Sequence, residues 1–346
     1  MNDQDKIVYE LIKLYQGDTI EQFEEEIKPY MNDEEIMGRL LSRSEYIIEH
    51  AGDELKSNKD FALKHISKYP LMLCYLSDSI KDDREVVSLA MRSDTMSFHY
   101  ISENLRNDKK IVLRALVKHQ DCFRSASKEL KADKQFVLEV IRMFPFAFQY
   151  AAPELKNDRQ VALEAVTSCG DNLEYLSNEF KDDKEIVYKA VQDSSYSIKY
   201  TSAQFKNDEV LAKLVVANNS RLIEHLSEDI KNNREIAILA LQQNGSALEF
   251  LNDNFKDDKE LALLAIDKKG DFLEYVSERL KNDPVIALKA LTNSLSALPF
   301  IGNELSEEME GSDPIKYLNM RILHDKLQSK VNNNIIPKKL ENKFKV

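Results

Sequence analysis

The chain has 346 residues, of which 43% are apolar and 31% are charged, a balance that disfavours intrinsic disorder. Only 8 Gly and 8 Pro occur, which disfavours the turn-rich sequence of an all-β fold. Three widely spaced cysteines, Cys74, Cys122 and Cys169, offer neither a disulfide framework nor a thiolate metal site. They suit a reducing compartment, and no apolar run has transmembrane length, so we expect a cytoplasmic protein.

The formal net charge of −12 is unevenly distributed along the chain. From residue 315 onward, eight Lys and Arg stand against two acidic residues, so this end carries +6 and the rest carries −18. An acidic body repels phosphate backbones, which disfavours nucleic acid as its partner. The basic end leaves contact with nucleic acid or a membrane surface open.

The first predicted elements are two helical stretches in residues 1–27, divided at Gly17, which we interpret as an N-terminal helical cap. Over residues 28–302 a motif like the LKND of residues 155–158, an apolar residue followed by a cation and then by an aspartate two residues later, recurs every 25 residues with no insertion or deletion. Its first apolar residue lies at Leu55, Ile80, Leu105, Leu130, Leu155, Phe180, Phe205, Ile230, Phe255, Leu280 and Leu305. This period predicts an array of about eleven repeats.

Each repeat is predicted to begin with a helix that has one apolar face. In the repeat that starts at Leu155, the face consists of Val161, Ala162, Ala165, Val166 and Cys169. Asp158 is the predicted N-cap, because its carboxylate can accept hydrogen bonds from free backbone N–H groups. Gly170 follows the helix, and we expect it to adopt the left-handed conformation that ends a helix, as at Gly245 and Gly270.

A second, shorter helix is predicted in each repeat, with Leu173, Leu176 and Phe180 on its buried face. An aromatic residue recurs beside this face, at Tyr75, Tyr100, Tyr150, Tyr175, Tyr200, Phe250, Tyr275 and Phe300. We expect this aromatic row to pack in the core, because Phe replaces Tyr without other change. A ladder for stacking nucleic-acid bases is the alternative.

One repeat cannot bury enough apolar surface to fold alone, so its neighbours must complete the core. The predicted fold is therefore all-α, an α-solenoid of about eleven 25-residue two-helix repeats with helical caps at both ends. Residues 303–331 are the predicted C-terminal capping helix region. Within it the helix starts with Asp313 as N-cap and Pro314 as its first residue. Residues 332–346 are interpreted as a flexible basic tail.

The segment ELKNDRQVALEAV, followed by LEYLSNEFKDDKEIVYKAV, resembles the repeat family known as domain of unknown function 4116. The resemblance extends over about four-fifths of the chain, and the family's unit corresponds to about two of these repeats. It implies an α-helical repeat protein without catalytic residues to transfer. The family is known in bacteria, including secreted effectors of intracellular pathogens, and in protists and large viruses. The resemblance therefore also implies a candidate bacterial effector that acts in a host cytosol.

The sequence contains no nucleotide-binding, hydrolase or metalloprotease motif, and it predicts no cofactor and no metal site. His119 and Cys122 have a ligand-like spacing but no second pair to complete a zinc site. We therefore expect no enzymatic activity. An enzyme with a cryptic site around His119 and Cys122 remains an alternative, since the fold could bring a cysteine and a histidine together.

The residue before the aromatic row is polar and variable, and in the second half of the chain it is mostly glutamate. The candidate partner-binding residues are Glu174, Glu224, Glu249 and Glu274, with Glu228, Asp229, Asp253 and Glu278 beside them. Equivalent positions of a solenoid form a continuous surface row. We interpret this acidic face as a docking surface for a basic segment of a protein partner, in a scaffold or an inhibitor-like binder. A solvated face that only maintains solubility is the competing interpretation.

Overall fold

The computed structural model describes residues 3–16 and 20–332, and this part of the chain consists of helices and connecting turns without a β-strand. The chain divides into two compact units, Met1–Ser168 and Cys169–Val346, which we call the N-terminal and the C-terminal unit. The division falls inside one 25-residue repeat, after its long helix. The all-α helical repeat fold predicted from the sequence is confirmed.

Each repeat contains three helical segments, a long α-helix, a 3-10 helix and a short α-helix. The long helices are Glu34–Leu40, Lys59–His65, Arg84–Ser93, Lys109–Leu116, Lys134–Met143, Arg159–Ser168, Lys184–Asp193, Glu209–Asn218, Arg234–Gln243, Lys259–Lys268 and Pro284–Asn293. The 3-10 helices are Glu45–His50, Pro70–Tyr75, Thr95–Tyr100, Gln120–Ser125, Pro145–Tyr150, Gly170–Tyr175, Ser195–Tyr200, Ser220–His225, Gly245–Phe250, Gly270–Tyr275 and Leu295–Phe300. The short helices are Asp53–Lys56, Asp78–Lys81, Glu103–Arg106, Lys128–Ala132, Pro153–Lys156, Asn178–Lys181, Ala203–Lys206, Glu228–Lys231, Asp253–Lys256, Glu278–Lys281 and Asn303–Glu308.

Four further helical segments lie outside this pattern. They are Asp3–Gln16, Ile20–Ile27, the 3-10 helix Lys28–Tyr30, and Pro314–Asn332. The predicted division at Gly17 lies outside the described residues, as does the predicted basic tail beyond Asn332.

The predicted second helix is wrong in its continuity, because it is interrupted in every repeat. Leu176 and Ser177 have extended backbones, with φ and ψ of −75° and 161° at Leu176. At the equivalent break, the N–H of Ser102 donates to the carbonyl of Lys81 over 2.9 Å, and the N–H of Ser202 donates to that of Lys181 over 3.0 Å. The chain leaves the helix in order to bond to the preceding repeat, which satisfies a carbonyl at the end of a short helix.

The aspartates at the starts of the long helices are N-caps, as predicted, and they also connect successive repeats. One oxygen of Asp133 accepts from the backbone N–H of Phe136 over 3.0 Å, and the other accepts from Lys109 Nζ over 2.6 Å. In the C-terminal unit, Lys259 bonds to Asp283 in the same way over 2.6 Å. We call this series the cap ladder. The Lys109 ammonium holds the pKa of Asp133 below its usual value, and the backbone N–H of Phe136 lowers it further.

The inward face of each long helix is the one that the spacing predicts. Val161, Ala162, Ala165 and Val166 are fully buried. Cys169, the fifth residue of the predicted face, lies one residue beyond the helix and is only half-buried. The recurring alanine permits close packing, because its side chain is small. Within the C-terminal unit the long helices of successive repeats pack side by side, and in both units the 3-10 helices do so.

The prediction of left-handed glycines at helix ends is wrong. Among the described residues only Gly311 has a positive φ, of 76°. Gly170 and Gly270 instead begin 3-10 helices, where a Cβ would collide with the carbonyl oxygens of Ala190 and Ala290 respectively. Glycine therefore serves the close approach of a 3-10 helix to the long helix of the next repeat.

Candidate interaction face

The acidic face lies on the stacked 3-10 helices and short helices of the C-terminal unit. Glu174, Glu224 and Glu274 each occupy the second-last position of a 3-10 helix and are exposed, whereas Glu249 is half-buried. The remaining four candidates, Glu228, Asp229, Asp253 and Glu278, are exposed in the first turns of short helices.

Half of these carboxylates already have a basic partner within the unit. Glu228 bonds to Lys231 over 2.9 Å and Glu278 to Lys281 over 2.8 Å, each within its own short helix. Asp253 lies 3.8 Å from Lys256 in the same arrangement. Glu249 lies 3.5 Å from Arg221. The described residues provide no ion-pair partner for Glu174, Glu224, Glu274 or Asp229, so these four carry the uncompensated charge of the acidic face.

The prediction that the aromatic row packs in the core is wrong. Tyr175, Phe250 and Tyr275 are half-buried, and Tyr100 in the N-terminal unit is 40% exposed. Each aromatic residue is the last of its 3-10 helix, and the following residue, such as Leu176, is the one that enters the core. The rings therefore form part of the surface, directly beside the glutamates.

The acidic face already holds two cations of its own chain. The guanidinium of Arg221 lies 5.0 Å from the centre of the Phe250 ring and contacts the neighbouring Glu249. The Lys199 ammonium lies 4.6 Å from the centre of the Tyr200 ring. An aromatic face and a carboxylate together attract a cation more strongly than either does alone. Glu249 and Phe250 thus form a cation-binding pair.

The same pair recurs at Glu274 and Tyr275, with no cation of the described chain paired to Glu274. Partial burial raises the pKa of the Tyr275 hydroxyl, and the carboxylates of Glu249 and Glu274 raise it further. Arg221 lowers this pKa by a smaller amount, so negative charge outweighs positive charge around the ring. At the other end of the face, Glu174 accepts a hydrogen bond from Tyr200, whose pKa is raised mainly by burial.

The residues of the alternative enzyme site do not form a nucleophile pair. Cys122 is 1% exposed, and burial, followed by the Asp121 carboxylate, raises the pKa of its thiol to about 11. A cysteine needs a lowered pKa to react as a thiolate at neutral pH. His119 is exposed at the start of the same 3-10 helix. Nowhere in residues 3–16 and 20–332 do three His, Cys, Asp or Glu side chains come together as a metal site.

Sequence reasoning did not find Arg221 or the surface role of the aromatic row. Arg221 and Glu249 are 28 residues apart, one period plus one helical turn, and this spacing is the signal that could have connected them. The predicted basic tail, 332–346, lies outside the described residues from 333 onward, so its contact with nucleic acid or a membrane stays a prediction. Within the described ranges, no helix combines the length and the apolar character that a bilayer crossing requires.

The helical repeat of the structure agrees with the comparison to protein families. The family model described as domain of unknown function (DUF4116) matches residues 33–82, 83–131, 133–181, 159–206, 211–256 and 258–306. No curated protein and no solved structure matches the chain. Because the matches cover well over half of the chain, it belongs to the family of proteins built from domain of unknown function 4116 repeats.

Proposed function

We propose that this protein is a protein-binding repeat protein, a scaffold or an inhibitor-like binder, whose acidic face receives a basic segment of its partner. The observation that supports the proposal is the contact of Arg221 with both Phe250 and Glu249. We infer that a partner arginine would contact Glu274 and Tyr275 in the same way. Such a binder would act in the cytoplasm, or in a host cytosol if the chain is secreted like the bacterial effectors of its family.

The spacing of the face defines the partner more closely. Glu174, Glu224 and Glu274 are separated by two repeats each. Packed helices lie about 9–10 Å apart, so these carboxylates recur about every 20 Å. An extended peptide advances about 3.3 Å per residue, so about six residues separate two successive carboxylates. We expect a partner segment with Arg or Lys at roughly every sixth position.

The test uses synthetic peptides and fluorescence anisotropy. One peptide carries three arginines at every sixth position in a Gly and Ser background, and a second carries the same three arginines consecutively. We expect the spaced peptide to bind the wild-type protein more tightly, since only it can reach three carboxylates at once. Equal affinity for the two peptides would show that charge alone attracts them and would contradict the proposed register.

Charge reversal then locates the binding surface. The variant Glu174→Lys, Glu224→Lys, Glu274→Lys should bind the spaced peptide roughly tenfold more weakly or worse. The matched control, Glu209→Lys, Glu235→Lys, Glu260→Lys, changes the same number of exposed carboxylates in the first turns of long helices of the C-terminal unit, away from the acidic face. Circular dichroism verifies that both variants fold. An equal loss of affinity in both variants would rule out the acidic face as the site.

A further inference from the structure

The N-terminal unit contains a groove whose charge is opposite to that of the protein as a whole. The groove lies among the helices Asp3–Gln16, Glu34–Leu40 and Lys59–His65 and has a volume of about 620 Å³. Four of its lining residues are cations: Arg39, Arg43, Lys64 and Lys68. We call these four residues and the space between them the basic groove.

The charges of the basic groove are poorly compensated by the chain. Among the described residues that line it, Asp5 supplies the one carboxylate, which bonds to Nη2 of Arg39 over 2.5 Å. No carboxylate of the described chain pairs with Arg43, Lys64 or Lys68. Four cations and one carboxylate leave a charge of +3 in a unit that carries 24 basic and 30 acidic residues. Such a local reversal of charge concentrates anions.

Two nitrogen atoms of the groove residues are buried without a hydrogen-bond partner in the described chain. They are Nη1 of Arg39 and Nε2 of His65. A buried donor of a charged group is costly to leave without a hydrogen bond. Burial lowers the pKa of His65, and Lys64 lowers it further while Glu34 opposes them. The imidazole is therefore neutral at pH 7, and Arg39 remains the charged donor.

The basic groove is a local departure from the repeat. His65 stands where later repeats have alanine, as at Ala90 and Ala115. Its ring fits because it lies against Gly38, where a Cβ would come within 2.9 Å of two ring atoms. The ring also packs on Phe61, with 4.7 Å between ring centres. Later repeats have larger residues at the position of Gly38, such as Leu63 and Leu113, so the pairing of Gly38 with His65 is particular to the start of the array.

The chemistry of the groove fits a phosphate group. A phosphate monoester presents only acceptor oxygens and close to two negative charges, which match a guanidinium fork and several ammonium groups. The volume lies within the range of small-molecule sites, about 300–1,000 Å³. The aromatic rings of Tyr9 and Tyr69 border the cations and offer an apolar contact for the remainder of a ligand. We propose that the basic groove binds the phosphate group of a small phosphorylated molecule.

Isothermal titration calorimetry with inorganic pyrophosphate tests this site. The variant Lys64→Gln, Lys68→Gln removes two exposed cations of the groove and should bind pyrophosphate roughly tenfold more weakly. Arg114 and Lys118 occupy the equivalent positions two repeats later, are exposed and lie outside the groove. The control Arg114→Gln, Lys118→Gln therefore removes the same charge from the same helix positions, and its affinity should be unchanged.

The outcomes separate a built site from general attraction of anions. A saturable signal lost only in the groove variant supports the proposal, as does a shift of the His65 imidazole resonances in wild-type protein on adding pyrophosphate. Equal weakening in both double variants would mean that pyrophosphate senses only the overall charge, and the proposal would fail. It would also fail if the wild-type protein gave no saturable heat with millimolar pyrophosphate. Neither outcome depends on the acidic face of the C-terminal unit.

Discussion

The two units are built from the same repeat but present different side chains before the aromatic row. In the N-terminal unit these residues are Cys74, His99, Arg124 and Gln149, and in the C-terminal unit they are Glu174, Lys199, Glu224, Glu249, Glu274 and Pro299. Residues 1–168 carry 24 basic and 30 acidic residues, whereas residues 169–314 carry 16 and 28. The acidic excess, −6 in the first segment and −12 in the second, is thus concentrated near the candidate face.

The polar atoms of the row are also used differently in the two units. In the N-terminal unit, His99 Nδ1 lies 2.5 Å from the hydroxyl of Ser125, and the Tyr150 hydroxyl donates to Asp121 over 2.7 Å. These bonds connect neighbouring repeats. In the C-terminal unit, Glu224 and Glu274 are exposed and have no ion-pair partner in the described chain. The C-terminal unit also has bonds between repeats, from Tyr200 to Glu174 and from Arg221 to Glu249, but only in this unit does the row contain carboxylates without an ion-pair partner in the described chain.

The largest effects should be the same in both units, because the core positions are equivalent. Phe98 and Leu273 are fully buried at the same position of their repeats. Phe98→Ala should lower the free energy of unfolding by about 3–5 kcal/mol, and Leu273→Ala should lower it by about 2–5 kcal/mol. Urea denaturation followed by circular dichroism measures both changes.

Substitutions in the aromatic row provide the controls for these core variants. Tyr100→Ala and Tyr275→Ala remove rings that are already partly in solvent, so each should cost only about 1 kcal/mol. If Tyr275→Ala lowered the free energy of unfolding as much as Leu273→Ala does, the aromatic row would have to pack in the core after all.

A smaller effect should distinguish the C-terminal unit. Gly270 begins a 3-10 helix there, whereas the N-terminal unit has Pro70 or Pro145 at this position. Gly270→Ala places a methyl group against the carbonyl of Ala290, and we expect a loss of about 1–3 kcal/mol. Gly311→Asn should cost less than about 0.5 kcal/mol, since Asn tolerates a left-handed backbone and nothing lies near it. Thermal unfolding compares these two variants. Gly270→Asn is the contradicting test: if it left the stability unchanged, position 270 would have room for a Cβ and a left-handed backbone would be favoured.

These glycines illustrate what the sequence could and could not predict. The period, the buried stripe and the cap at Asp158 follow from local rules that act within one helix, and they were predicted. The break at Ser202, the ladder from Lys109 to Asp133 and the close approach at Gly170 depend on the neighbouring repeat. Spacing within one repeat contains no information about such contacts.

The candidate site was predictable only in part. The position of the glutamates in one row followed from the period, but their compensation by lysines three residues later depends on side-chain conformation. The aromatic row was assigned to the core because a hydrophobic spacing does not distinguish a 3-10 helix from an α-helix. The basic groove is formed by three helices and has no counterpart in the repeat pattern.

The cap ladder should have a modest effect on stability in both units. Lys109→Met removes a partly exposed ion pair with Asp133, which should cost about 0.5–1 kcal/mol at neutral pH. Because the folded-state pKa of Asp133 is lowered, its contribution is present above the usual value of 3.8 and is lost as the pH falls through the folded pKa. The variant should therefore lose less stability than wild type between pH 7 and pH 3.

An NMR titration of the Asp133 carboxyl carbon measures the cause directly. Its pKa should rise in Lys109→Met and should remain lowered in Lys259→Met, which removes the equivalent contact with Asp283 in the other unit. If the pKa of Asp133 were unchanged in Lys109→Met, the backbone N–H groups of the cap, and not Lys109, would be the cause of its low value.

The smallest predicted effect concerns the cation that the acidic face binds by itself. Arg221→Gln releases Glu249 and Phe250, and so makes this glutamate–aromatic pair available in addition to Glu274 and Tyr275. If a partner arginine uses these pairs, the variant should bind the spaced arginine peptide about threefold more tightly, since a cation–aromatic contact contributes about 0.5–1 kcal/mol at an exposed site.

The control for this variant must also remove one cation, because any such change makes the protein more acidic. Lys213→Gln does so at another exposed ion pair of the C-terminal unit, with Glu235. An increase in affinity that is the same in both variants would reflect net charge alone. An increase confined to Arg221→Gln would show that the chain's own arginine competes for the place of a partner's arginine.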